Sequence, residues 1–287
     1  MRKLLLALLT LALPAQDTHV ILLGTGNPNP QPDKMGPATA VVSGGRVYLV
    51  DAGAGVVRRA VQAGLKVQDL SRLFLTHLHS DHTLGYPDVL LTPGVMQRRE
   101  PLQVVGPKGT RVMTDHLRAA WQEDLDIRLH GGEPGRPEAY AVSVKEVKAG
   151  EVYRDEHVRV VAFPVSHGTW KQAWGYRFEA KDKVVVISGD TTYDPRMVEH
   201  AKGADILVHE VYCEAGWATR SPEWRRYHAA FHTAASDLGK LAAQVKPRKL
   251  VLTHQLLMGS TAEQLLKEVR SAYAGEVIDG KDLDVIR

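Results

Sequence analysis

Apolar residues along this chain gather in short runs separated by glycine, proline and charge. The runs His19–Leu23, Ala38–Ser43, Arg46–Val50, Arg72–Leu75, Leu102–Val105, Val158–Val165, Trp174–Glu179, Val184–Ser188, Ile206–Val208 and Leu250–Leu252 have the length and the β-branched content of strands. Gly44-Gly45 makes a hairpin of the second and third. Helical patterns cover Gly55–Ala63, Thr110–Asp126, Pro195–Ala201, Ala234–Val245 and Ala262–Tyr273, and Thr233 is placed to cap the Ala234 helix. The loosest stretch, Gly131–Pro137, is a surface loop. No repeat or low-complexity segment interrupts the series, so residues 17–287 form one α/β domain.

Residues 1–16 stand apart. Arg2 and Lys3 precede an apolar run from Leu4 to Leu13, and Pro14-Ala15-Gln16 follows. A basic start, about ten apolar residues and a small residue at the break describe a signal peptide, and the run is too short for a comfortable bilayer span. Export to the periplasm or the medium is therefore expected, with a cytoplasmic location if the leader is not cleaved. No stable membrane insertion is expected after its removal.

Composition adds little beyond what it excludes. The full chain carries 36 Lys and Arg against 33 Asp and Glu. Without Arg2 and Lys3 the excess of three falls to one, too little to advertise a polyanion partner. The single Cys213 rules out an internal disulfide and a thiolate-rich zinc site.

Gly24-Thr25-Gly26 follows the first strand and has the spacing of a phosphate-binding turn. Such a turn must open straight into a helix, and Pro28, Pro30 and Pro32 forbid that.

The densest chemistry lies in Thr76-His77-Leu78-His79-Ser80-Asp81-His82, directly after Leu73-Phe74-Leu75. Residues two apart on a strand face one side, which places His77 and His79 together. Asp81 and His82 fall where the chain turns and can point at a second nearby position. Packing these groups together costs desolvation and repulsion unless a cation organises them. Neutral imidazole and carboxylate both bind a divalent ion as electron donors.

His-x-His-x-Asp-His followed by Leu84-Gly85 resembles the metallo-β-lactamase fold superfamily, and the resemblance continues in order along nearly the whole chain. His167 in Pro164-Val-Ser-His-Gly, Asp190 in Ile187-Ser-Gly-Asp-Thr and His254 in Leu252-Thr-His-Gln match the family's later ligands. The resemblance implies a four-layer αββα sandwich of two mixed sheets flanked by helices. It also implies two divalent metal ions, with His77, His79 and His167 on one, Asp81, His82 and His254 on the other, and Asp190 bridging. Zn2+ is the expected ion, and Mn2+ or Fe2+ suits the same donors.

Val208-His209-Glu210-Val211-Tyr212 and Ala230-Phe231-His232-Thr233-Ala234 narrow the resemblance to the ribonuclease Z and phosphodiesterase branch, as do Gly24-Thr25-Gly26 and Trp174-Gly175-Tyr176. In that branch a Glu after a core strand, here Glu210, orients a His ahead of a helix, here His232, which assists at the scissile phosphate. Asp81, His232 and Glu210 are thus the expected catalytic residues, and the expected reaction is hydrolysis of a phosphodiester or related ester by metal-activated hydroxide. Arylsulfatase-, lactonase- or β-lactamase-like chemistry on the same first shell is the alternative.

One departure bears on substrate. Members of the branch that process tRNA carry a long arm rich in Gly and Pro, whereas Thr110 to His167 here holds only a helix, a short loop and ordinary strands. A small-molecule or short ester substrate is expected, with nucleic acid second and true tRNA 3′ processing disfavoured. A homodimer is compatible with the resemblance. His209 reads as a structural partner of Glu210, and His19, His116, His130, His157, His200 and His228 lack ligand-like context. Trp170, Trp174, Trp217 and Trp224 are candidates for pocket lining or for packing, and Arg225 and Arg226 read as a solvated helix face.

Overall fold

The first strand, β1 (His19–Gly24), has no polar face. Val20 and Leu22 pack into the space between two sheets, and Ile21 and Leu23 pack outward under helices. A strand covered on both sides needs an unbroken apolar run. The computed structural model describes residues 17–287, so the expected leader lies outside the described residues.

One sheet is built from β1, β2 (Ala38–Ser43), β3 (Arg46–Val50), β4 (Arg72–Phe74), β5 (Leu102–Gly106) and β6 (Val142–Glu146). The other holds β7 (Gly150–Arg154), β8 (Val158–Pro164), β9 (Trp174–Ala180), β10 (Val184–Ile187), β11 (Ile206–Tyr212), β12 (Lys249–Leu256) and β13 (Val277–Asp279). The short β14 (Val285–Ile286) returns to the free edge of β1, giving orders β14-β1-β2-β3-β4-β5-β6 and β13-β12-β11-β10-β9-β8-β7. Each sheet is antiparallel over half its pairings and parallel over the rest.

Helices cover both outer faces. On the first sheet they are α1 (Val56–Gln62), the single turn α2 (Ser80–Thr83), α3 (Tyr86–Val95), α4 (Thr110–Ala120), α5 (Gln122–His130) and α6 (Pro137–Tyr140). The second half contributes α7 (Pro195–Ala201), α8 (Glu214–Ala218), α9 (Pro222–Phe231), α10 (Ala235–Val245) and α11 (Ala262–Arg270). The inner core, with Tyr48, Phe74, Tyr176 and Phe178, lies between the sheets; outer cores lie under α1 and α3 and under α7, α10 and α11. This is the expected αββα sandwich. Strands β8, β10, β11 and β12 run in one direction, so their C-terminal ends emerge at one edge.

Several local expectations change. The Thr110–Asp126 helix is two helices broken at Trp121, whose φ of −109° leaves the helical region. Thr233 does not cap α10: its hydroxyl donates to the Thr191 carbonyl, and Glu214 accepts from the Ser236 N–H at the helix start instead. β11 extends to Tyr212 and β12 to Leu256, so Glu210 and His254 lie within strands and not beyond them. Gly24 and Gly26 have a packing reason, because a Cβ on Gly24 would strike the Gly36 carbonyl and one on Gly26 would sit 2.6 Å from the Met35 oxygen.

Candidate metal centre

β4 ends at Phe74, so His77 and His79 stand on the loop that follows it and their convergence does not come from strand alternation. The loop is pinned by Asp51, whose carboxylate accepts the Thr76 N–H at 2.8 Å and its hydroxyl at 2.9 Å. His79 precedes α2 in an extended conformation, and Asp81 and His82 lie on that turn. From the second sheet His167 follows β8, Asp190 follows β10, and His254 sits in β12.

His254 occupies an irregularity. Glu210 pairs with Thr253 and Val211 with Gln255, which leaves His254 as the extra residue of a bulge with a left-handed φ of 45°. A bulge re-aims one side chain, and a non-glycine residue held at positive φ is strained. Here it turns the imidazole into the cluster.

All seven expected ligands are brought together. His77 Nε2 lies 3.0 Å from His79 Nδ1, and His167 Nε2 lies 3.2 Å from the same atom. Asp190 Oδ2 is 4.0 Å from His77 Nε2 and 3.4 Å from His254 Nε2, while its Oδ1 is 3.4 Å from His82 Nε2. Asp81 Oδ2 stands 3.2 Å from His254 Nε2 and 3.6 Å from His82 Nε2. Donors bound at about 2.0–2.1 Å to one tetrahedral ion are separated by roughly 3.3 Å. His77, His79, His167 and Asp190 form one such group and Asp81, His82 and His254 a second, with Asp190 within reach of both.

The outer bonds leave the inner nitrogens free. His167 Nδ1 donates to the Phe231 carbonyl at 2.7 Å, and His82 Nδ1 to Asp51 at 2.7 Å, so in each ring Nε2 is the nitrogen turned inward. His82 Nε2 is buried without a hydrogen-bond partner, an orphan that a cation would satisfy. Burial holds His77 well below its usual range and His167 down at about 4, which keeps both neutral and able to donate electrons. Asp190 has the opposite setting. Burial works against its charge, but His254 and His82 hold it well below the carboxylate range. The same carboxylate and Asp51 outweigh burial at His82 and raise it. The neutral His77 and His167 beside the ionised Asp190 are donors a divalent ion can use directly. His82 and His254, which the surrounding carboxylates raise against burial, would release their protons on binding it, and with that the residues fit the ion.

His232, at the end of α9, comes into the same site. Its Nδ1 is 3.3 Å from Glu210 Oε2 and 3.9 Å from Asp190 Oδ2, and burial lowers it to about 4. The Glu210 contact is close but not aligned for a hydrogen bond. Glu210 Oε1 instead accepts the Thr233 N–H at 2.8 Å and the Thr191 N–H at 3.3 Å. It therefore positions His232 chiefly by fixing the backbone next to it. Burial and the neighbouring Asp190 charge push Glu210 well above the usual carboxylate range.

A family model described as "Beta-lactamase superfamily domain" matches residues 46–255. Ribonuclease Z of Mycobacterium marinum is 34% identical over 272 residues, covering 92% of this chain and 96% of that protein. Ribonuclease Z of Mycolicibacterium paratuberculosis is 35% identical over 271 residues with the same coverage. The chain belongs to the ribonuclease Z family of the beta-lactamase superfamily. It is a metal-dependent hydrolase. Among solved structures, the metallo-beta-lactamase fold protein YhfI from Bacillus subtilis superposes with a TM-score of 0.73 at 18% identity, covering 94% of this chain and all of that one. Human tRNase Z, short form, gives 0.70 at 22% identity, covering 94% and 98%. At these identities the two structures bear on the fold.

This ribonuclease Z family member has site residues that sequence reading passed over. Asp51 carries no local signal, because its partners Thr76 and His82 are 25 and 31 positions away. Trp170 joins the cluster directly, its Nε1–H donating to His79 Nε2 at 2.9 Å. Trp174 is core and Trp217 packs on Tyr212. His228, which has no ligand-like context in the sequence, lines a cleft of about 680 Å³ with Trp224, Tyr227 and His232. The missing signal was α9 itself, whose period-four spacing at positions 224, 228 and 232 aligns these rings.

Proposed function

We propose that this chain hydrolyses phosphodiester bonds, with His77, His79, His167 and Asp190 holding one divalent ion and Asp81, His82 and His254, sharing Asp190, holding the other. Zinc is the proposed ion, because tetrahedral nitrogen-rich donor sets suit it. Two such ions supply a Lewis-acid clamp on a phosphate and acidify water. The observation that carries the reading is the convergence of seven donors from both sheets onto two adjoining positions.

The chain's own groups divide the remaining work. Asp81, whose Oδ2 faces His82 and His254, orients the attacking water and takes its proton. His232 stands on the cleft side, neutral in the resting site; the charge of a bound phosphodiester would raise it, so that it takes up a proton from solvent and gives it to the leaving oxygen. Glu210 holds His232 in place through the Thr233 backbone. The relatives named ribonuclease Z support RNA as the polymer cleaved, ahead of a small ester alone.

Export remains part of the proposal. The leader pattern of residues 1–16 would place the mature enzyme in the periplasm or the medium, where free oligonucleotides rather than precursor tRNA are available. Intact-mass measurement of the protein recovered from its host tests this: an uncleaved N-terminus in a cytoplasmic fraction would exclude it.

The function is tested by metal analysis of the purified protein together with a panel of a short oligoribonucleotide, an aryl phosphodiester, an aryl sulfate, a lactone and a β-lactam. Two ions per chain and preference for the phosphodiesters are expected. Faster turnover of the sulfate, lactone or β-lactam would assign the site to that chemistry instead.

A further inference from the structure

The cluster of ligands does not end at His254. His82 and His254 stack at 5.3 Å and 29°, His254 and His232 at 5.6 Å and 21°, His232 and His228 lie at 5.9 Å and 39°, and His228 and Trp224 stack at 5.7 Å and 26°. These rings form a tilted stair from the buried centre to the surface, ending at Trp224, which is 56% exposed. Tyr227 stands edge-on to Trp224 at 5.5 Å and stacks on Phe231 at 4.4 Å, so its ring is braced from behind. The outer steps, His228, Trp224 and Tyr227, are not demanded by metal binding. Folding alone does not favour leaving a tryptophan face in water.

The cleft at the head of the stair has a distinct character. Arg220 lines it and makes no ion pair among the described residues, and no acidic side chain lines it. The opposite wall brings Asn27 and Asn29 from the loop after β1 and Met258 from the segment after β12. Aromatic faces, one free cation and amide groups beside a phosphate-handling centre match a nucleobase on a charged backbone. A lactone or a β-lactam has no flat base to lay on Trp224. The volume also suits a nucleotide-sized group.

We propose that Trp224 and Tyr227 on α9 form a stacking platform for a base of single-stranded RNA, with Arg220 meeting a neighbouring phosphate, while the scissile phosphate lies at the ligand cluster. This inference rests on the phosphodiester reading and specifies its substrate as an unpaired strand gripped close to the cut. Stacking on an aromatic side chain tolerates any base, so the platform confers preference for single strands without sequence specificity. It also supplies grip next to the reacting bond in a chain without a long arm between Thr110 and His167.

The test compares a short oligoribonucleotide with an abasic strand of the same length, using the metal-loaded, full-length enzyme. Trp224→Ala should raise KM for the base-bearing strand about 10-fold and leave kcat nearly unchanged. The same variant should leave the abasic strand unaffected, and Trp224→Phe should restore most of the loss. Arg220→Ala should flatten the dependence of log Kd on log salt by about 0.7 for single strands. Because Trp224 is exposed, the variants should melt with the parent. Equal treatment of the two strands by the parent, or an equal shift of both in Trp224→Ala, would overturn the platform while leaving phosphodiester hydrolysis standing. If neither strand is cleaved, the phosphodiester reading fails, and fluorescence-detected binding of the same two strands still decides the platform.

Discussion

Asp51 Oδ2 and His82 Nδ1 lie 2.7 Å apart, and the same carboxylate accepts both the N–H and the hydroxyl of Thr76. One side chain at the end of β3, held at a left-handed φ of 61°, thus fixes the tautomer of a candidate ligand and the loop that carries two more candidates. Partners behind a ligand typically account for 10–100-fold in metal affinity. Asp51→Ala is expected to lose metal by that factor at the Asp81, His82, His254 position first, and Asp51→Asn, which keeps one acceptor, less. Metal content after graded chelation checks the order. Equal retention in parent and Asp51→Ala would exclude the role.

His232 lies outside the two groups proposed to hold ions, although it stands within donor reach of Asp190 and His254. His232→Ala is expected to keep both ions and to lose roughly 10²–10⁴ in turnover of substrates with poor leaving groups, with little effect on good ones. Paired rates on aryl esters of graded leaving ability, alongside metal analysis, measure this. Glu210→Ala should act differently. It strips buried acceptors from the Thr233 and Thr191 N–H groups, at about 1–3 kcal/mol each, and should lower Tm, whereas Glu210→Gln keeps an acceptor.

Trp170 Nε1–H donates to His79 Nε2, which requires the proton of that neutral imidazole to be on Nδ1. A cation held by His79 Nδ1 moves the proton to Nε2 and removes the tryptophan's acceptor. Titrating ions into chelated enzyme should therefore change tryptophan fluorescence, and Trp170→Phe should abolish the change. A signal that survives Trp170→Phe would place the reporter elsewhere.

Asp155 accepts from the Tyr48 and Tyr153 hydroxyls, from Arg46 and from the N–H groups of His157 and Val158. Burial opposes its charge, but these donors pull it down to about 2. A carboxyl depressed in the folded state contributes its stability above its unfolded value near 4 and loses it as pH falls toward 2. The loss should be on the order of 2 kcal/mol. Urea unfolding from pH 6 to pH 2 should show this acid limb in the parent and a flatter one in Asp155→Asn.

The order of residues alone made the first cluster legible, because His77-x-His79-x-Asp81-His82 concentrates donors that repel one another unless a cation is present; His167, Asp190 and His254 were legible as candidates only through the family resemblance. Apolar runs such as Val20 to Leu23 made one α/β domain legible, and the αββα layering was what the resemblance implied. The tertiary structure decided the rest. Asp51 becomes a bracket for His82, His254 reaches inward through a bulge, Glu210 acts through the backbone beside His232, and Trp224, His228 and Tyr227 become a wall beside the site. Each depends on contacts between residues far apart in the chain, or on a backbone torsion that no local pattern encodes. Periodicity reports which face of an element is buried; only packing reports what that face meets.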